Sequence, residues 1–209
     1  MITRKVRCAR MSHLSFMIKR ILIIDGHPDP DRKRFCHALA EAYVEGARET
    51  GNEVRTLTVA EMEVPVLRTA AEFAAPPEYS AILTARADLL WCNHLVLVFP
   101  LWLGGSPALL RAFLEQVGRA NFMADATGKG IIQKLSGRSA RLIVTMGMPA
   151  LAYRLIFREH GVRNLMQGVI GFGGIAPVKR TLLGAVESVS DGERKHRIEL
   201  IRSLGRGGS

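Results

Sequence analysis

Three short, mainly apolar runs constrain this sequence more than any other feature. "RILIID" (20–25), "HLVLVF" (94–99) and "ARLIVTM" (140–146) are too short for buried helices and lack the alternation of a strand with one wet face. A run of that kind is a strand covered on both sides, as in a parallel sheet packed between helices.

Between these runs the apolar period lengthens to three or four residues. Over 32–50, Phe35, Leu39, Ala42 or Tyr43, and Ala47 share one face, and Gly51-Asn52 supplies a stop. A second helical pattern covers 79–91. A third starts at Ser106-Pro107, a cap residue followed by proline at the first helical position, and carries Leu110, Phe113, Leu114 and Val117 on one face. "EVRTLTV" (53–59) and "PVKRTLLG" (177–184) read as two further strands, and 191–204 as a terminal amphipathic helix. Residues 61–77, with Pro65, Pro76 and Pro77, read as a long connection, and the stretch with Gly128, Gly130 and Gly137 as a Gly-rich one. A helical region follows Pro149. Strands alternating with helices give an α/β fold with a parallel sheet and helices on both faces.

The chain has 209 residues, 48% of them hydrophobic, which suits one well-buried domain. Its longest apolar runs fall short of the roughly 20 residues a membrane-spanning helix needs. Cys8, Cys36 and Cys92 are far apart and odd in number, so neither a disulfide framework nor a zinc site is expected, and a reducing cytoplasm fits best. The net charge of +10 is concentrated in a tail: Arg4, Lys5, Arg7, Arg10, Lys19 and Arg20 precede the first acid. Residues 1–16 are therefore read as a disordered basic extension before the domain at 17–209. An organelle transit peptide and an upstream start codon before Met17 are alternative sources of it. No basic helix or aromatic-basic interleaving follows, so a nucleic-acid partner is not expected.

Parallel sheets of this kind bind ligands beyond the carboxyl ends of their strands. Three unusual loops sit there: 26–34, 100–105 and 145–149. The first, "DGHPDPDRKR", leads into a helix N-terminus, where unpaired backbone N–H groups favour an anion. Lys33 and Arg34, read as first-turn residues, oppose the helix dipole unless a phosphate is bound; the alternative is a solvated charge run capped by Asp31. The second, "PLWLGG", is apolar yet too rich in Pro and Gly for core. Such a loop offers a planar ring system an apolar face with close backbone approach.

Two rival motifs fail on chemistry. Gly104-Gly105-Ser106-Pro107-Ala108 looks like a nucleophile elbow, but the oxyanion hole needs the N–H of the residue after the serine, which Pro107 lacks. Gly171-Phe172-Gly173-Gly174-Ile175-Ala176 matches a dinucleotide fingerprint by letters only, since Pro177 stands where a helix must grow.

"ILIIDGHPDPDRKRFCHALAEAY", "ADLLWCNHLVLVFPLWLGGSPALLRAFLEQV" and "VTMGMPALAY" together resemble the flavodoxin-like NAD(P)H:quinone oxidoreductases, a family that includes flavin-dependent ancillary subunits of potassium efflux systems. The resemblance implies a three-layer fold with a five-stranded sheet in the order 2-1-3-4-5, a bound FAD or FMN, and a homodimer. By position it places His27, Arg34, Phe35 and Cys36 near the flavin phosphate. Pro100, Leu101, Trp102 and Leu103 flank the ring system, and Thr145, Met146, Gly147 and Met148 lie on its other edge. Tyr153 and His160 match the family's catalytic Tyr and His, which stabilise charge on reduced flavin or on the acceptor oxygen. On the residues alone, Tyr153 is equally a helix-surface aromatic and His160 a helix C-terminal residue favoured by the dipole. Lys33-Arg34 stand where relatives carry a small hydroxyl residue, and Leu103-Gly104 where they carry aromatics, which leaves the acceptor open. The activity implied is two-electron transfer from NAD(P)H to a quinone or similar small acceptor, with no metal. The alternatives are a flavin-binding subunit regulating a cation antiporter and a scaffold that has lost its flavin.

Overall fold

The computed structural model describes residues 18–127 and 130–209; the proposed basic extension and Gly128 fall outside them. Five parallel strands form the central sheet: β1 (Arg20–Asp25), β2 (Glu53–Thr58), β3 (His94–Pro100), β6 (Ser139–Thr145) and β7 (Val178–Leu183). Their spatial order is β2-β1-β3-β6-β7, which is 2-1-3-4-5 when only sheet strands are counted. In β3 all seven residues are buried, and in β6 six of seven. That is the physical reason for their mainly apolar sequences, in which Arg141 of β6 is the one cation.

The sheet separates two apolar layers. Ile21, Ile23, Val96 and Val98 face α1 (Phe35–Glu49) and α7 (Asp191–Gly207) through Leu39, Tyr43 and Ile201. Leu22, Ile24, Leu97 and Phe99 face α3 (Ser80–Trp91) and α4 (Ala108–Gly118) through Ile82, Leu89, Leu110 and Phe113. Helices α1 and α7 approach so closely that a Cβ on Gly46 would lie 1.9 Å from the Arg202 carbonyl oxygen.

Several boundaries differ from the sequence expectation. Helix α1 begins at Phe35, so Lys33 and Arg34 precede it instead of occupying its first turn, and Arg34 sits at the N-cap without a side-chain cap. Asp31 does not cap it either; its carboxylate accepts from the Lys33 amide at 3.1 Å. Pro107, not Ser106, takes the N-cap position of α4. The 61–77 connection contains α2 (Ala70–Ala74), capped by Thr69, whose Oγ1 accepts from Glu72 N at 3.1 Å. The Gly-rich connection after α4 forms an antiparallel hairpin of β4 (Ala124–Thr127) and β5 (Gly130–Gln133). All of β5 is exposed, so no apolar alternation marked it. The helical region after Pro149 breaks into α5 (Ala150–Leu155), α6 (His160–Arg163) and a wide π turn over Asn164–Ile170. The Gly171–Gly173 segment is a single 3-10 turn leading to β7, so the fingerprint has no helix to open. No helix of the described residues is long and apolar enough to cross a membrane.

Candidate functional site

The parallel register brings the three unusual loops to one edge of the sheet. Gly26 N donates to Val98 O at 2.7 Å, fixing the first loop beside β3. Pro100 pairs with Thr145 at the ends of β3 and β6, and Leu101 N donates to Thr145 O at 2.7 Å. Cys36 Sγ and Thr145 Oγ1 lie 3.2 Å apart, so the first turn of α1 touches the third loop. The edge of Trp102 meets His27, with ring centroids 6.4 Å apart. Met146 is buried and bound to β7 through its N–H and the Leu183 carbonyl at 2.9 Å, whereas Gly147 is exposed and Met148 half-buried.

The first loop carries a buried polar network that the sequence reading missed. The Asp25 carboxylate contacts His37 Nδ1 and accepts from His27 N at 3.2 Å. His37 Nε2 contacts the Asp29 carbonyl at 2.9 Å, so both ring nitrogens are engaged. The Asp29 amide meets His27 Nδ1 at 3.0 Å. An amide can only donate, so Nδ1 is the acceptor and a neutral His27 carries its proton on Nε2. Burial is the largest cause and lowers the His27 pKa; the Asp29 hydrogen bond opposes it, His37 adds to it and the Asp25 charge opposes it, and the net direction favours that neutral form. Two signals pointed to this network: an Asp closing an otherwise apolar strand, and a His on the buried face of α1.

Arg34 Nη2 pairs with the Asp29 carboxylate at 2.6 Å, and the Asp31 amide and Arg34 together hold that carboxyl below its usual range. Arg34 remains half-exposed at the helix entrance. No acid stands in the first turn of α1, so its amides retain their preference for an anion. Phe35 is half-buried under the Arg194 guanidinium, 5.0 Å from the ring centroid. Cys36 is buried, and burial pushes its thiol up to about 12.

The second loop closes on itself. Trp102 and Gly105 exchange two backbone hydrogen bonds of 2.9 Å, with Leu103 at φ 48° and Gly104 at φ 80° between them. Both central residues are left-handed, as in a type I′ turn, a conformation that disfavours leucine. Leu103 projects fully into solvent and Trp102 is half exposed. Nothing within 4 Å would meet a Cβ on Gly104 or Gly105, so their front is open.

Tyr153 does not lie on the helix surface. Its side chain is fully buried; its hydroxyl donates to Gly104 O at 2.9 Å and accepts from Val162 N at 3.3 Å. A phenol has one proton, and here Gly104 holds it. Burial, together with Glu159, raises its pKa although the Val162 amide opposes this. His160 is exposed and opens α6, so the reading as a helix C-terminal residue is overturned. Gly161 packs against the same turn: a Cβ there would lie 2.0 Å from Gly104 O.

A family model described as flavodoxin-like fold matches residues 19–203. The chain belongs to that family. It is 26% identical over 186 residues to an uncharacterized NAD(P)H oxidoreductase of Haemophilus influenzae, covering 86% of this chain and 90% of the relative. It is similar in structure to an NAD(P)H:quinone oxidoreductase from Methanothermobacter marburgensis, with a TM-score of 0.76 at 19% identity over 91% of this chain and 97% of that one. An FMN-dependent NADH-azoreductase from Bacillus anthracis, solved with FMN, superposes with a TM-score of 0.71 at 15% identity, covering 90% and 98% of the two chains. At these identities the two structural likenesses speak for the fold.

Proposed function

We propose that this protein is a flavin-dependent NAD(P)H oxidoreductase that passes two electrons from a nicotinamide to a quinone or a similar small acceptor. The observation that carries the reading is the convergence of three loops on one edge of the sheet: an uncapped helix N-terminus with His27 and Arg34, the open turn at Trp102–Gly105, and the backbone at Thr145–Met148. The names of the relatives, NAD(P)H oxidoreductase and FMN-dependent NADH-azoreductase, point the same way.

The residues present fit a flavin, either FAD or FMN. The α1 amides, the Nε2 proton of neutral His27 and the Arg34 guanidinium hold a phosphate, by charge where a hydroxyl would otherwise serve. The glycine front of the second loop would admit a planar ring with Trp102 beside it, and the exposed backbone at Gly147 would offer it hydrogen-bonding groups. A bound flavin supplies the two-electron chemistry; the protein orients the reactants and stabilises charge. His160, exposed at the start of α6, donates to the acceptor oxygen. Tyr153 acts as a positioning residue, since its proton holds the Gly104 carbonyl and hence the turn. The exposed apolar side chains Phe73, Ile131, Ile132 and Phe172 favour a homodimer. No observation favours the antiporter-subunit alternative.

The test is reconstitution. Purified protein mixed with FAD or FMN acquires visible flavin absorbance that survives gel filtration, and added NADPH or NADH bleaches it anaerobically. Failure to retain either flavin overturns the proposal.

A further inference from the structure

The turn between α5 and α6 holds a charge cluster outside the three loops. Arg158 and Glu159 are successive non-glycine residues at φ 49° and 57°, a strained pair that neighbouring structure must hold in place. The conformation turns Glu159 inward, where it is 1% exposed. Its carboxylate pairs with Arg180 Nε at 2.5 Å and Arg154 Nε at 3.3 Å, and Arg180 Nη2 donates to Oε1 at 3.2 Å.

One guanidinium suffices to neutralise a buried carboxylate, and this cluster has two. The excess positive charge is accessible, with the Arg154 and Arg180 side chains 59% and 35% exposed. Both border a groove of about 350 Å³ lined also by Ala150, Leu151, Glu159 and Leu182. Each guanidinium has five N–H donors, and Glu159 occupies only part of each set. The buried carboxylate thus presets two planar donor forks beside an open groove, an arrangement suited to a phosphate monoester. Only Pro149 separates Ala150 in that groove from Met148 of the third loop. The groove therefore adjoins the third loop along the chain.

We infer that the groove between Arg154 and Arg180 binds the ribose 2′-phosphate of NADPH and makes the protein selective for NADPH over NADH. The inference rests on the nicotinamide-dependent activity proposed above, but its binding test does not depend on turnover. Titration calorimetry on the full chain uses adenosine 2′,5′-bisphosphate, adenosine 5′-monophosphate and inorganic phosphate as probes. The bisphosphate is expected to bind at least about tenfold more tightly than the monophosphate, as one charge-assisted contact gives. Arg154→Gln, which leaves the Arg180–Glu159 pair in place, is expected to remove that difference. In turnover the NADPH-to-NADH ratio of kcat/KM falls by a similar factor in the variant. Equal binding of the two nucleotides by the wild type overturns the inference, as does a preference that survives Arg154→Gln. Binding of inorganic phosphate with no preference for the bisphosphate also overturns it, since the groove is then a general anion site. A wild type that fails to oxidise either nicotinamide while keeping an Arg154-dependent preference for the bisphosphate removes the proposed activity and leaves the binding site standing.

Discussion

The hydroxyl of Tyr153 donates to the carbonyl of Gly104 across 2.9 Å, joining the helix after the third loop to the turn of the second. The same oxygen accepts from Val162 N, and Gly161 leaves no room for a Cβ beside Gly104. Tyr153→Phe leaves both partners without the hydroxyl while keeping the ring. We expect a loss of about 1–3 kcal/mol, the cost of buried polar groups left unsatisfied, measured by urea unfolding, together with weaker flavin binding by fluorescence titration. Unchanged values in both measurements would show that the turn is held by Gly161 packing alone.

Leu103 adopts a left-handed conformation with its side chain fully in solvent. Leu103→Gly removes the strain and forfeits no packing in the chain, although glycine gains freedom in the unfolded state. Stability is expected to stay level or rise by up to about 1 kcal/mol. A fall in melting temperature would mean that the side chain packs against a neighbour, in this chain or in a second copy.

His37 is the partner of the buried Asp25 carboxylate. His37→Leu leaves Oδ2 of that carboxylate without its hydrogen bond while the His27 amide still serves Oδ1, and a buried acceptor left unsatisfied costs about 1–3 kcal/mol. Chemical denaturation at neutral pH checks it, and the double variant Asp25→Asn/His37→Leu should recover part of the loss. A single variant as stable as wild type would refute the coupling.

His94 is buried at the opposite end of β3, with Nδ1 2.7 Å from Ser139 Oγ and no hydrogen-bond partner for Nε2 among the described residues. Burial, aided by Lys19, Arg141 and Lys179, lowers its pKa from 6.5 to about 4. The unfolded chain therefore binds a proton that the folded one refuses between those values, so stability falls as pH drops from about 6.5 to about 4. The contribution is on the order of 3 kcal/mol. His94→Asn should flatten that part of the stability profile, and an unchanged acid slope would exclude His94 as its source.

The periodicity of the sequence by itself determined the three buried strands, marked the edge strands β2 and β7 more weakly, and located the main helices and the three loops. A strand buried on both faces must be apolar throughout and a helix lying on it must be apolar on one side, so both leave local signatures. Strand β5 left none because all its residues face water. Only the tertiary structure decided which polar residues meet. Asp25 and His37 are twelve positions apart and Cys36 and Thr145 more than a hundred, and their contacts arise because parallel strands deliver distant segments to the same end of the sheet. Tyr153 is buried with its hydroxyl on the Gly104 carbonyl and the Val162 amide, partners 49 and 9 positions away. The backbone reversal at Arg158–Glu159 is likewise tertiary. Nothing local favours two left-handed non-glycine residues, and the ion pairs that hold them come from α5 and β7. Local patterns report what each segment buries, whereas the partner of a buried charge is set by where the rest of the chain returns.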